Sequence, residues 1–408
     1  MTQQPTEFPK AKTAAALVLA AAALAFGLSR YFIVVVSLTA FPWLALLGCT
    51  VVQLRFRFKL LDMLLAFGFV VACIVFRWQI LNLPQLYKVL GALLGLGSLL
   101  MLAVRAVWSE GEDRVAYLSA LIPAMILVGS EWLTPPLLAW GQSSNPKTLD
   151  LYLLVFDSTL GFQPSFVMGR VFEQLGLLRA ISIAFYLALP VLIALVYVEQ
   201  LRKNRRRALV ALLIFFFAAI IGASAYNLYP ACGPISLLGK NFAHSDFPFD
   251  KASKILLEPV PIPGPRNAMP SMHMCWVLLA WWLTKNLDKW VKYVALGFLI
   301  FTVAATLGTG EHYFIDLVVA FPFSLCMYAL FSMDVPFVQR ERLLALVGGA
   351  IGMLLWIVLL RFEIPLFFRV KGLSWVLIAV TLAWATWSHR ALSKARDAAE
   401  GDASLQAA

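Results

Sequence analysis

The chain has 408 residues, 61% of them hydrophobic and only 13% charged, with a mean hydropathy of +0.82. A soluble globular chain carries roughly 45–50% apolar and about 25% charged residues, so water is excluded as the main solvent and a bilayer is required. The net charge of +11 does not mark a nucleic-acid partner, because the basic residues sit in short loops between apolar runs.

A helix needs about 20 apolar residues to cross the hydrocarbon core. On that measure the chain reads as an all-α, polytopic bundle of about 12 spans: 11–28, 31–52, 60–77, 88–106, 116–134, 180–199, 208–229, 270–285, 290–308, 312–331, 342–360 and 373–388. The first run follows Lys10 and Lys12 as a signal sequence would, but a second apolar run comes almost at once, so it reads as a retained anchor. Between the sixth and seventh spans stands Arg202-Lys203-Asn204-Arg205-Arg206-Arg207, the strongest orientation signal. Fixing it in the cytoplasm places Arg55, Arg105, Lys285, Arg340 and Arg396 on the same side. Lys240, Lys251, Lys254 and Arg266 then share an outer loop, 230–269.

Two stretches lie outside the spans. Residues 149–178 mix apolar and polar side chains and are expected to form helices lying in the outer interface. The 230–269 loop is rich in proline, so regular structure there should be scarce, and a loop of this length in a compact bundle is usually functional. The five cysteines show no paired spacing and read as small buried hydrophobes, with a Cys232–Cys275 bridge left open.

Two strings carry the chemistry: Pro270-Ser271-Met272-His273 and His312-Tyr313-Phe314-Ile315-Asp316. Ionisable groups at the rim of lipid-buried helices are costly and argue for function. His273 and His312 lie 39 residues apart, one trip across the bilayer and back, so both return to the same face. With the arginine cluster inside, that face is extracytoplasmic. His312 and Asp316 are spaced i, i+4 and share one side of a helix. A carboxylate beside an imidazole holds one ring nitrogen protonated and leaves the other free to attack. Ser271 and His273 open a helix whose unpaired N–H groups favour an anion, and Arg266 in the preceding loop offers a fork for phosphate oxygens, with Lys254 and Lys251 behind it. A nucleophilic histidine, a second histidine as proton donor and an anion cradle make a phosphoryl-transfer site. This arrangement requires neither a metal nor a cofactor. His244 and His389 lack such partners and read as structural.

At these residues the chain resembles the type-2 phosphatidic acid phosphatase superfamily, whose membrane members share a six-helix core. That family's second motif is Pro-Ser-Gly-His, and its third ends in His followed four residues later by Asp. The resemblance implies that His312 forms a phosphohistidine, that Asp316 orients it, that His273 protonates the leaving oxygen and that Ser271 helps hold the phosphate. Met272 replaces the usual glycine, Ala305 and Thr306 stand where the third motif carries Ser-Arg, and the first motif is not recognisable. These departures look more like the branch containing inositol phosphorylceramide synthase, with Tyr229-Pro230-Ala231-Cys232-Gly233-Pro234 and the stretch from Asp150 to Gly161 as further, weaker matches. Sphingomyelin synthases share a similar histidine–aspartate plan.

The expected organisation is a four-span N-terminal region (1–115), a catalytic core (116–335) and two C-terminal spans with a cytoplasmic tail (336–408). The expected activity is metal-independent transfer or hydrolysis of a lipid-linked phosphate at the outer face of a plasma or inner membrane. The substrate would be a phospholipid or polyprenyl phosphate, and a stand-alone phosphatase is the nearest alternative. Twelve spans also suit a transporter, but the polar cluster lies at one rim and no 20–50-residue repeat is evident, which disfavours that class.

Overall fold

The computed structural model describes residues 10–39, 41–244 and 249–407. Among these the regular structure is helical, and extended pairing is confined to a single bridge between Thr148 and Val260. The chain opens with α1 (Lys10–Leu28), α2 (Arg30–Leu38), α3 (Phe41–Arg55), α4 (Leu60–Phe76), α5 (Leu86–Trp108) and α6 (Gly111–Ser144). Then come α7 (Asp150–Ser158), α8 (Pro164–Gln174), α9 (Gly176–Leu187), α10 (Leu189–Lys203), α11 (Arg205–Ala225) and the short α12 (Pro234–Leu238). The last six are α13 (Met272–Leu283), α14 (Lys289–Gly308), α15 (Phe314–Leu330), α16 (Arg340–Phe362), α17 (Ile364–Arg369) and α18 (Leu373–Ala407).

The helices group into two compact units, Met1–Thr134 with Pro190–Leu209, and Pro135–Leu189 with Val210–Ala408. In the first, α3 and α5 meet where a Cβ on Gly95 would come within 2.1 Å of the Leu46 carbonyl oxygen, so only glycine permits this approach. Phe32, Val36, Leu46, Val89 and Leu93 bury themselves around that contact. Ion pairs tie the helix ends: Arg105 grips Asp62 with Nη2 at 2.6 Å and Nε at 3.0 Å, and Glu199 accepts from Arg55 at 2.5 Å and Arg202 at 2.9 Å. The outward face of α4 leaves Leu60, Leu61, Leu64, Phe67 and Val71 exposed, which is sensible only against lipid.

In the second unit α15 is the central element. It packs against α7, α13, α16 and α18, and nearly all its residues are buried. Pro322 interrupts its hydrogen bonding, and α16 closes on that point because Gly349 would set a Cβ only 2.7 Å from the Pro322 carbonyl oxygen.

Among the described residues, six helices (α1, α5, α6, α11, α14 and α16) are long and apolar enough to cross a membrane, and the bent pairs α2–α3 and α9–α10 raise that to eight. Six such helices suggest a multi-pass membrane protein, an all-α bundle as expected. The expected count of 12 is not reached on length and composition. Residues 270–271 and 312–313 belong to loops rather than helices, so α13 has only 12 residues and α15 only 17. At 1.5 Å per residue the shorter spans about 18 Å of a hydrocarbon core of about 30 Å. The 230–269 loop is irregular as expected, holding one five-residue helix and two short 3₁₀ turns, while its residues 245–248 lie outside those described. All five cysteines are free, so the Cys232–Cys275 bridge is not formed.

Candidate active site

Ser271 caps α13. Its backbone is extended and its Oγ accepts the Met274 N–H at 3.4 Å, answering one orphan donor of the first turn. The same Oγ lies 3.1 Å from His312 Nε2, which joins the two strings across 41 residues of chain. On the other side of the ring, His312 Nδ1 is 2.9 Å from the Ala268 carbonyl oxygen and 3.5 Å from Asp316 Oδ2. A carbonyl only accepts, so Nδ1 carries the proton, and Nε2 is left with a lone pair that takes the Ser271 hydroxyl hydrogen. Ser271, His312 and Asp316 are all buried, and Asp316 Oδ1 has no hydrogen-bond partner.

His273 lies one helical step past Ser271, on the first turn of α13. Its ring stacks on Tyr186 at 3.9 Å, with Trp276 edge-on at 6.0 Å, and all three keep partial exposure. Met272, in the place of the family's glycine, fits because Gly222 has no side chain: a Cβ there would lie 2.2 Å from the Met272 sulfur.

What holds His312 in place comes largely from α7, whose two aspartates at i, i+7 point to one side. Asp157 accepts the N–H groups of Phe314 at 2.7 Å and Ile315 at 3.3 Å, closing the N-terminus of α15. Asp316 Oδ2 accepts the Tyr313 N–H at 2.8 Å, so the first turn of α15 is capped by two carboxylates. Asp150 accepts the N–H groups of Gly233 at 2.8 Å and Cys232 at 3.1 Å, together with the Tyr313 hydroxyl at 3.1 Å. Burial pushes the carboxyl pKa of Asp150 up, and that of Asp157 well up, while the N–H donors pull the other way and make a carboxylate tolerable there. Gly233, at φ +103°, lets this loop lie against the histidine segment, since a Cβ would reach within 2.2 Å of the Glu311 carbonyl oxygen. Neither aspartate was among the expected site residues. Their signal was an acidic pair at helical spacing inside an otherwise apolar stretch.

Two expected phosphate ligands make no hydrogen bond or ion pair to the His312 cluster among the described residues. Arg266 is buried, with Nε donating to the Asn145 carbonyl at 2.8 Å, Nη2 to Pro146 at 3.0 Å, and Nη1 to Ile262 at 2.8 Å and Gly264 at 2.5 Å. Nη1 also reaches Cys232 Sγ at 3.4 Å. A phosphate-binding role for Arg266 does not fit this bonding, because the loop carbonyls occupy the fork that a phosphate would need. Lys254 ends a 3₁₀ turn with an exposed side chain, and among the described residues no hydrogen bond or ion pair joins it to the His312 cluster. His244 pairs with Glu173 and His389 stacks on Trp282 at 4.3 Å, both away from these residues.

Residues 151–330 match the PAP2 superfamily. The match runs from α7 through α15 and takes in Ser271, His273, His312 and Asp316, and it supports a phosphatase or phosphotransferase kind of enzyme acting on lipid phosphates in a membrane. No curated protein and no solved structure matches the chain. The PAP2 segment ends before α16 and α18, the two helices that complete the packing around α15.

Proposed function

We propose that this protein is a membrane enzyme that takes a phosphate-linked group from a lipid onto His312 and passes it to an alcohol or to water. Nε2 of His312 attacks phosphorus, the bond from phosphorus to the leaving oxygen breaks, and His273 supplies the proton that oxygen needs. In the second half the incoming alcohol or water gives its proton back to His273 as it displaces the imidazole. Asp316 stabilises the charge that develops on the ring during attack. The carrying observation is the 3.1 Å pairing of Ser271 Oγ with His312 Nε2, combined with an acceptor on Nδ1 that leaves the attacking nitrogen unprotonated.

Transfer of a phospho-headgroup between lipids, as in the inositol phosphorylceramide synthase branch, is the leading form of this reading, because the departures at Met272, Ala305 and Thr306 point that way. Hydrolysis of a phosphatidate or polyprenyl phosphate uses the same intermediate with water as acceptor. The arginine cluster at 202–207 supports an extracytoplasmic site by the positive-inside rule. Transport is disfavoured because the polar cluster sits at the starts of α13 and α15 rather than in mid-helix.

The test is to incubate purified protein with radiolabelled lipid phosphates and to look for acid-labile label on histidine. Label is expected on the wild type and absent from His312→Ala. Label that persists in the variant removes the nucleophile. Release of free phosphate rather than a new phospholipid from the same reaction would select hydrolysis over transfer.

A further inference from the structure

The geometry points to Arg266 as a positioning residue that sets the tautomer of His312 through the Ala268 carbonyl. This rests on His312 being the nucleophile proposed above. The guanidinium binds backbone oxygens from two separate parts of the chain, Asn145 and Pro146 in the α6–α7 connection and Ile262 and Gly264 in the Pro-rich loop. It also touches the sulfur of Cys232, whose own N–H is held by Asp150. Its planar fork carries five N–H donors in fixed directions and serves four carbonyls here, where an ammonium has only three donors.

The segment so tied leads directly to Ala268, two residues on. The Ala268 N–H donates to the Ala231 carbonyl at 3.0 Å, and Thr148 and Val260 exchange a pair of hydrogen bonds at 2.8 and 3.0 Å beside the same junction. The peptide between Arg266 and Pro270 is thus fixed at both its side chain and its backbone. What it presents at the end is one carbonyl oxygen, 2.9 Å from His312 Nδ1. That contact is closer than the 3.5 Å to Asp316, so the carbonyl, not the carboxylate, fixes the proton on Nδ1 in the resting enzyme. Asp316 is left to answer the positive ring that forms on attack.

Arg266 therefore acts on the reaction without touching substrate. Were the loop released, Nδ1 would lose its nearest acceptor, the proton could shift to Nε2, and the attacking lone pair would disappear. Reactivity would fall while phosphate affinity would not. A phosphate ligand behaves in the opposite way, and a charge-only role would be rescued by lysine.

The chain has only four histidines, so the ring nitrogens of His312 are assigned in ¹⁵N-histidine spectra of the full-length protein in lipid nanodiscs by subtraction against His312→Ala. Wild type is expected to show a protonated Nδ1 and a bare Nε2. A resting wild type with the proton on Nε2 overturns the proposal without any variant at residue 266. In Arg266→Lys the two tautomers should mix and kcat should fall about 10- to 100-fold, in keeping with small misplacements of a reacting group. The inhibition constant for inorganic phosphate, a ground-state ligand, should stay within about threefold of wild type, since uniform binding is untouched. A parallel loss of phosphate affinity, or full activity with an unchanged tautomer, counts against Arg266 as the positioning group. Activity surviving His312→Ala would remove the nucleophile itself, a separate failure read in a separate experiment.

Discussion

The helix ends of the first unit and the surroundings of His312 in the second use the same apolar alphabet but spend their polar side chains differently. In the first, charges pair with charges: Arg105 with Asp62, and Arg55 and Arg202 with Glu199. In the second, around His312, charges serve the backbone: Asp150, Asp157 and Arg266 bind peptide N–H and C=O groups. A side-chain pair ties two helices and tolerates small shifts. A side chain bonded to several peptide groups fixes where a loop runs, and a loop so fixed can hold a reactive nitrogen to within a fraction of an ångström. Bundle stability and chemical positioning are therefore separable by mutation.

The sharpest separation should come from Asp157→Ala. It strips both N–H partners from the start of α15 and lets the His312 segment drift. Turnover should fall about 100-fold, the scale expected for a reacting group displaced by about 1 Å. Leaving buried donors unmade should also cost about 1–3 kcal/mol of stability. Activity assays beside thermal unfolding in detergent read the two effects. Near-normal turnover would mean that α7 does not hold the nucleophile.

Gly95→Val should behave in the reverse manner. Its Cβ would collide with the Leu46 carbonyl oxygen, so α3 and α5 must part, an overpacking cost of about 1–3 kcal/mol or more. Melting temperature should drop while specific activity of the folded protein stays within about twofold, the outcome for a contact that shares no partner with the His312 cluster. Asp62→Asn is the milder version. It leaves the half-buried Arg105 without its anion, and the loss should be about 1–2 kcal/mol, below the full buried-pair value because Arg105 is partly solvated. If either first-unit variant abolished turnover at unchanged stability, the division of labour would be broken.

How far these features were legible depends on whether they are local. The i, i+4 spacing of His312 and Asp316, the cap at Ser271 and the apolar runs are properties of short windows, so an all-α membrane bundle and the pairing of the two strings could be read directly. Span lengths were harder, because hydropathy does not distinguish the last loop residue from the first helical one. Hydropathy counts residues 270–271 and 312–313 into helices that begin two residues later, at Met272 and Phe314. Arg266 shows the deeper limit. Its neighbourhood in sequence suggested an anion, but two of its four carbonyl partners, Asn145 and Pro146, lie 121 and 120 residues away, which no window contains. Asp150 and Asp157 were visible as an acidic pair, yet their targets at 232–233 and 314–315 are equally distant in the chain.

The smallest expected effect is a coupling energy, between Met272 and Gly222. Met272→Gly restores the residue usual in the motif but empties the space that Gly222 leaves for the methionine, and it places glycine in the first turn of α13. Truncating a buried methionine costs about 2–5 kcal/mol, with glycine's poor helix propensity adding up to about 1. Gly222→Ala alone is also unfavourable, because its Cβ would overlap the sulfur at 2.2 Å. Combined, the two changes relieve each other, since the new methyl occupies part of the vacated volume. A double-mutant cycle on thermal unfolding should show a favourable coupling of about 0.5–2 kcal/mol, as for residues in direct contact. Additive effects would mean that Met272 and Gly222 do not pack together, and that the methionine is tolerated for a reason other than the missing side chain opposite it.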